Sequence, residues 1–280
     1  MTTLQFGLAL PFGGGAQLVA NLAQAADETG WDGVFLGDAI WTQDPLIALA
    51  AAAMVTRRIK LGTMVIPAPL RRPWRLASEA VALDHLSNGR LILGLATGAT
   101  WMGWQGFPDE VTDKKSRAEM LDETIDILTL MFQAKQFDYD GKHYHLRLTL
   151  VEEQHYPPQP VQQPRIPLWV AGIWQRAKSM RRVLKCDGVF LEKYNLEGPN
   201  EEVTPEDIRG VKTYVEANRT LITPFDIVKE GKTAAMEHTQ LQDTLLPWIE
   251  AGVTWWIEGL WDLTEEQALE RIRRGPPRLD

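Results

Sequence analysis

The sequence predicts an α/β fold of the (β/α)8 TIM-barrel type. Three observations predict it. Short apolar runs alternate with amphipathic helical patterns eight times along 280 residues. Runs such as Leu61–Ile66 and Leu91–Leu95 are apolar without alternation, the pattern of strands buried on both faces. Setting aside one irregular stretch, 133–166, leaves about 250 residues, the usual length of such a barrel. A doubly wound open sheet is the competing architecture, and eight consecutive units favour closure over it.

The elements follow in order. Leu4–Leu10 is the first strand-like run, followed by a helix from about Ala16 to Thr29. Asp32–Gly37 is the second. Asp44-Pro45 then supplies an N-cap and a proline at the first helical position, opening a helix to about Val55. Ile59–Ile66 is the third run, with a helix from Pro73 to about Leu86 stopped by Asn88-Gly89. Leu91–Leu95 is the fourth, and its helix comes late, from about Ser116 to Phe132. Residues 133–166 form an insertion between the fourth helix and the fifth strand. Phe137–Tyr144 reads as a hairpin with Asp140-Gly141 in the turn, and five prolines from Pro157 to Pro167 make the remainder extended. Leu168–Ala171 resumes the alternation, with a helix to about Leu184. Gly188–Leu191 follows, then a helix capped by Thr204-Pro205-Glu206 and running to about Ala217. Phe225–Val228 precedes a helix to about Ala251. Val253–Glu258 precedes the last, Thr264 to Arg273. The whole chain, 1–280, reads as one barrel domain.

Composition narrows the function. Hydrophobic residues make up 45% and charged residues 24%, as in a soluble globular protein. The net charge of −8 disfavours nucleic acid as a partner. A lone cysteine, Cys186, excludes an intrachain disulfide and fits the reducing cytoplasm. The longest apolar run, Pro45–Val55, is too short to span a bilayer, and no basic segment follows Met1 to suggest a secretory signal. No G-x-S-x-G, P-loop or G-x-G-x-x-G is present, and Gly231-Lys232-Thr233 lacks the leading glycine of a P-loop. His143, His145, His155 and Glu152 lack a metal-ligand spacing, so no metal is expected. His85 is assigned to packing.

In a barrel the chemistry lies at the C-terminal strand ends. Trp41, Trp74, Trp101, Trp104, Trp174 and Trp261 all fall in loops on that face, out of eleven tryptophans. A mouth lined by indoles suits a flat apolar ring system. The ionisable candidates there are Asp38, Glu192 and Glu258, with Asp38 and Glu258 as the catalytic candidates. The loop Glu192-Lys193-Tyr194 belongs to the same face. Arg71, beside Arg72, is a candidate for an anionic substrate or cofactor tail. Trp41, Arg71, Trp74, Trp101, Trp104, Glu192 and Trp261 form the expected substrate pocket.

Several ordered segments carry a family resemblance. They are Gly30-Trp-Asp-Gly-Val-Phe-Leu-Gly-Asp38, Ile59–Pro67, Ala82–Leu95, Arg117–Glu123, Tyr139–Tyr144, Pro164–Gly172 and Ala251–Thr254. In this register the chain resembles the bacterial luciferase-like superfamily of flavin-dependent monooxygenases and deazaflavin-dependent oxidoreductases. The resemblance implies a barrel that pairs as a homodimer, with the isoalloxazine ring in its mouth. It implies that Thr63, Met64 and Val65 lie under that ring, with a non-proline cis peptide at Met64–Val65 in deazaflavin members. It places Thr97, Gly98 and Ala99 near the cofactor's polar tail. It assigns the phosphate to Ala171, Gly172, Ile173, Trp174, Gln175 and Arg176. Glycine there would permit close approach, and the helix N-terminus and Arg176 would attract the anion. Two family features are missing. Ala39 stands where many members have a histidine after Asp38, and Ala99 where sugar-phosphate dehydrogenases have an acid. The implied function is a monooxygenase using reduced FMN and dioxygen on a small organic substrate. A separate flavin reductase, or NAD(P)H binding transiently in the mouth, would supply electrons. The alternatives are a hydride-transferring enzyme using the deazaflavin coenzyme F420, and a non-catalytic flavin-binding protein.

Overall fold

Strands buried on both faces need helices outside and filled space inside, and the chain builds both. The structure, a computed structural model, describes residues 4–193, 201–234 and 236–279. Tyr194 lies outside them. In chain order the first units are β1 (Gln5–Ala9), α1 (Gly15–Thr29), β2 (Gly33–Leu36), α2 (Pro45–Val55), β3 (Lys60–Thr63), β4 (Ile66–Pro67), α3 (Pro73–Ser87), β5 (Leu91–Ala96) and α4 (Lys114–Met131). The insertion carries the hairpin β6 (Asp138–Asp140) and β7 (His145–Arg147). Then come β8 (Leu168–Ile173), α5 (Ala177–Val183), β9 (Gly188–Glu192), α6 (Pro205–Asn218), β10 (Asp226–Gly231), α7 (His238–Ala251), β11 (Trp255–Gly259) and α8 (Glu265–Arg273).

The parallel strands run β3-β2-β1-β11-β10-β9-β8-β5, and a β3–β5 pairing closes the ring. This is an eight-stranded α/β barrel. The caps expected from sequence are in place: Asp44 accepts from the N–H groups of Leu46 (2.9 Å) and Ile47 (3.0 Å), and Thr204 with Asp207 closes a capping box on α6. The third run differs from expectation. It divides into β3 and β4, because Gly62 pairs with Ile92 but Ile66 with Leu95, which leaves one extra residue on the β3 side. The Met64–Val65 peptide in this gap is cis. Thr63 bridges the break: its Oγ1 donates to the Gly94 carbonyl (2.9 Å) and accepts from the Gly94 N–H (2.8 Å).

Alternation along each strand sends one set of side chains inward. Phe35, Trp169, Phe190 and Trp255 fill the ring, with neighbouring centroids 5.4–5.6 Å apart. Rings of this size fit because adjacent strands offer no side chain opposite them. A Cβ at Gly62 would collide with Phe35, and one at Gly188 with Trp169. Leu61, Val170, Ile227 and Trp256 point outward into the larger cluster shared with the helices.

The insertion packs Tyr144 and Leu146 against Met120 and Ile127 of α4, and charge anchors it beside that cluster. Glu123 of α4 accepts from the backbone N–H groups of Lys142 (2.8 Å), His143 (3.1 Å) and Tyr144 (2.9 Å). Gly141 is required there, because a Cβ would collide with that carboxylate. Beside it, Lys142 (2.7 Å) and His143 (2.9 Å) hold the Glu119 carboxyl down to about 2. A carboxylate lowered in the folded state stabilises above its free value of 4.5, and that contribution is lost as pH falls towards about 2. The Glu119 side-chain carboxyl resonance should therefore titrate at about 2, and a midpoint at its free value of 4.5 would refute the pairing with Lys142 and His143.

Three other sequence expectations resolve here. His85 is exposed rather than packed, with Nε2 2.7 Å from the Gln159 carbonyl. Cys186 is buried, and burial pushes its thiol up to about 12. Among the described residues no helix is long and apolar enough to cross a membrane.

Candidate functional site at the barrel mouth

The C-terminal strand ends divide into two halves. Over β1, β2, β10 and β11, Phe12 packs on Gly37 and stacks against Trp261 at 4.9 Å and 26°. Trp261 Nε1 donates to Glu230 Oε1 at 2.6 Å. Over β3, β4, β5 and β8 the inward positions are smaller or softer. Met64 and Val65 are half-buried against the inner aromatic cluster, and Ala96, opposite Pro67, and Ala171, beside it on β8, follow one step further towards the mouth. This second half offers a low apolar platform on the rings of Trp169 and Phe190.

The loop after β5 borders that platform. Gly98 has φ +86°, and a Cβ there would stand 2.6 Å from Trp104 and 2.9 Å from Pro67. Only glycine adopts this conformation cheaply in so tight a space. Arg117 of α4, buried, donates from Nη1 to the carbonyls of Thr97 (3.0 Å) and Gly98 (2.6 Å) and lies over the Trp104 ring at 5.4 Å. The loop is thereby fixed with Thr97, Gly98 and Ala99 half-exposed.

The loop after β8 is only partly as expected. Ala171 and Ile173 lie on the inward side, and the Ile173 N–H is taken by Ser179 Oγ at 2.8 Å. Gly172 points the other way. Its Cβ would meet Val189 at 2.7 Å and Val183 at 2.8 Å, so its space belongs to α5 and not to a ligand. An aspartate at 172 would clash with the fold and would not report on anion binding. Trp174 also faces outward, packed on α6 where a Cβ of Gly210 would stand 2.6 Å from its ring. Gln175, with φ +63°, and Arg176 are exposed at the rim, and the Arg176 guanidinium pairs with no described carboxylate.

Of the ionisable candidates, Asp38 accepts from Arg71 Nε (3.1 Å) and Nη2 (2.9 Å). Burial raises its pKa, against the pull of Arg71. Arg71 is also held by Asp44 (2.9 Å) and lies 3.7 Å from Glu79. Arg71 is thus committed to protein carboxylates. Thr63 is fully buried and serves the strand seam. Glu258 is 1% exposed and points outside the ring, since Trp255 and Ile257 take the inward positions. It accepts from the Thr233 N–H (2.8 Å), Thr233 Oγ1 (2.7 Å) and the Ala234 N–H (3.1 Å), and lies 3.4 Å from Arg271. That geometry ties a loop to α8 and offers nothing to the mouth. Glu192 holds an inward position at the end of β9.

The tryptophans do not act together. Trp104 is buried beneath Gly98, and Trp74 meets Tyr144 of the hairpin edge-on at 6.3 Å. Trp41 and Trp101 are 84% and 80% exposed, and Trp41 lies 6.2 Å from Phe107. Of the six, Trp261 lines the mouth. Phe12, Glu230 and Arg117 were not singled out from sequence as site residues. Alternation along β10 from the inward Val228 marks Glu230, but nothing local marks the other two.

Residues 4–239 match the family described as luciferase-like monooxygenase. A protein of Mycobacterium tuberculosis named as a coenzyme F420-dependent oxidoreductase is 36% identical over 153 residues, covering 52% of this chain and 42% of the relative. The oxygenase component of a flavin-dependent trigonelline monooxygenase from Acinetobacter baylyi is 30% identical over 157 residues, covering 54% and 42%. The matches thus span under half the length of these relatives. The F420-dependent tetrahydromethanopterin reductase of Methanopyrus kandleri superposes with a TM-score of 0.73 over 97% of both chains at 16% identity, a likeness of fold. With the closed barrel and a profile match across most of its length, the chain belongs to the luciferase-like monooxygenase family.

Proposed function

We propose that the protein is a flavin-dependent oxidoreductase, a monooxygenase that uses reduced FMN and dioxygen on a small organic substrate in the barrel mouth. The observation that carries this reading is the asymmetry of the mouth. One half is walled by Phe12 and Trp261, and the other is a low platform of Met64, Val65, Ala96 and Ala171 beside the Arg117-braced loop. A flat tricyclic ring fits such a platform, and inner aromatics beneath it keep water out. The flavin supplies the redox chemistry when bound. The chain seats the ring, shields it, and holds the anionic tail with Arg176 at the rim. Few ionisable groups are needed, which accords with Ala39 and Ala99 standing where relatives have acid–base residues and with Asp38 being tied to Arg71.

The second reading is hydride transfer with F420, favoured by the relative named for that coenzyme. Side-by-side spectroscopic titration with FMN and F420 tests both. Saturable binding of FMN with substrate-dependent oxygen uptake supports the first. Preference for F420 supports the second, and flavin binding without turnover supports a non-catalytic flavoprotein. Binding of neither refutes the site. Arg176→Glu should weaken the preferred cofactor at least about tenfold, near 1.4 kcal/mol, with an unchanged melting temperature. Equal affinity would refute the anion assignment.

The electron donor in this reading is a separate reductase or transiently bound NAD(P)H, and the setting is the cytoplasm. A second copy would cover the outward stripe of α2, where Ile47 and Met54 are 67% and 70% exposed. Light scattering at rising concentration checks that pairing.

A further inference from the structure

The Phe12 side of the mouth has a chemistry that the flavin does not need. Trp261 is fixed by its Nε1 bond to Glu230 Oε1 at 2.6 Å, which spends the indole's one donor in the ring plane and leaves its faces for packing. Phe12 stacks on it at 4.9 Å. Gly259 makes room for the carboxylate, since a Cβ there would stand 2.6 Å from the Glu230 oxygen. Glu230 itself is exposed, and its second oxygen takes no hydrogen bond from a described residue.

The cations of this rim are engaged elsewhere: Lys229, whose charge Glu230 feels, lies over the Trp248 ring at 4.9 Å. Arg71 is held by Asp38 and Asp44. Lys193 pairs with Glu201 and Asp207 at 3.3 Å, and Lys232 lies 4.0 Å from Asp262. No described cation stands within ion-pair distance of Glu230. A cation beside the Glu230 carboxylate would be attracted further by the electron-rich outer faces of Trp261 and Phe12.

We propose that the substrate of this mouth carries a positively charged nitrogen, quaternary or protonated, received by Trp261, Phe12 and the Glu230 carboxylate. The assignment rests on the reading of the mouth as the flavin site, and it names the substrate class. The residues act as specificity determinants and transfer no proton.

Direct binding tests it without turnover. Calorimetry on the full chain, with and without FMN, compares N-methylpyridinium with its neutral isostere toluene, and choline with its carbon isostere dimethylbutanol. Each cation should bind at least about tenfold tighter than its isostere. Glu230→Gln should erase that preference with the melting temperature unchanged, and Trp261→Leu should weaken cation binding. Equal affinities, a preference for the neutral probes, binding of none of them, or a preference that survives Glu230→Gln would each overturn the proposal. A cation preference in a chain that binds neither FMN nor F420 would instead sustain this corner and remove the flavin reading.

Discussion

Gly94→Ala should lower the thermal midpoint by about 10 °C and weaken FMN binding together. The added methyl would collide with the Thr63 carbonyl oxygen, a backbone atom on the strand that closes the barrel. A flexible side chain could swing away, but a strand seam cannot. Overpacking against a fixed partner costs about 3 kcal/mol, the upper end of its usual range, and at about 2–4 °C per kcal/mol for a chain of this size that gives the predicted shift. Both polar groups of Gly94 facing β3 bond to the Thr63 hydroxyl, at 2.8 and 2.9 Å. Any shift therefore also moves Met64 and Val65, which follow Thr63 directly. Thr63→Val is the companion: it removes both hydrogen bonds without adding bulk and should cost about 1–3 kcal/mol. Scanning calorimetry with flavin titration reads both effects. A Gly94→Ala chain that melts like its parent would show that the seam is looser than described.

Trp169→Ala should be the most destabilising single change in the barrel interior, at about 3–5 kcal/mol. Its ring touches Phe35, Phe190 and Trp255 at once, with centroids 5.4, 5.4 and 5.5 Å away. It is completely buried. The glycine opposite, Gly188, has no side chain to move into the void, so the cavity would persist. The same ring lies under the platform of Ala171, and its loss should lower flavin affinity as well as the urea midpoint. Trp41→Ala, at an 84% exposed position, is the contrast and should change stability by no more than about 0.5 kcal/mol. Equal urea midpoints for the two variants would refute the assignment of Trp169 to the plug.

These expectations depend on facts of different legibility. Asp44-Pro45, Thr204-Pro205-Glu206 and Asn88-Gly89 were readable as helix ends because capping is local: the residue that stops or starts a helix is next to it in the chain. Asp140-Gly141 marked the hairpin for the same reason, but its loop runs from Gly141 to Tyr144 and its second strand, His145–Arg147, lies beyond the expected end at Tyr144. The seam at Thr63 was not, since its partner Gly94 is 31 residues away. The indoles misled because loop position on the mouth face says nothing of direction. Trp104 went under Gly98 and Trp174 went outward onto α6, while Trp169 and Trp255, inside strands, built the floor.

Sequence alone determined the alternation of eight strands and helices, the place of the insertion, and the family to which the chain belongs. Each of these is written in short-range periodicity or in motifs read in order. Only the tertiary structure decided which face of each strand looks into the ring. Barrel strands are apolar on both sides, so Trp255 and Trp256 read alike, and nothing in the run tells that Glu258 and Gly172 face the helices while Glu230 faces the mouth. Closing the ring decides it, because the interior admits a few large rings set against glycines, and each strand must turn its alternate residues to suit.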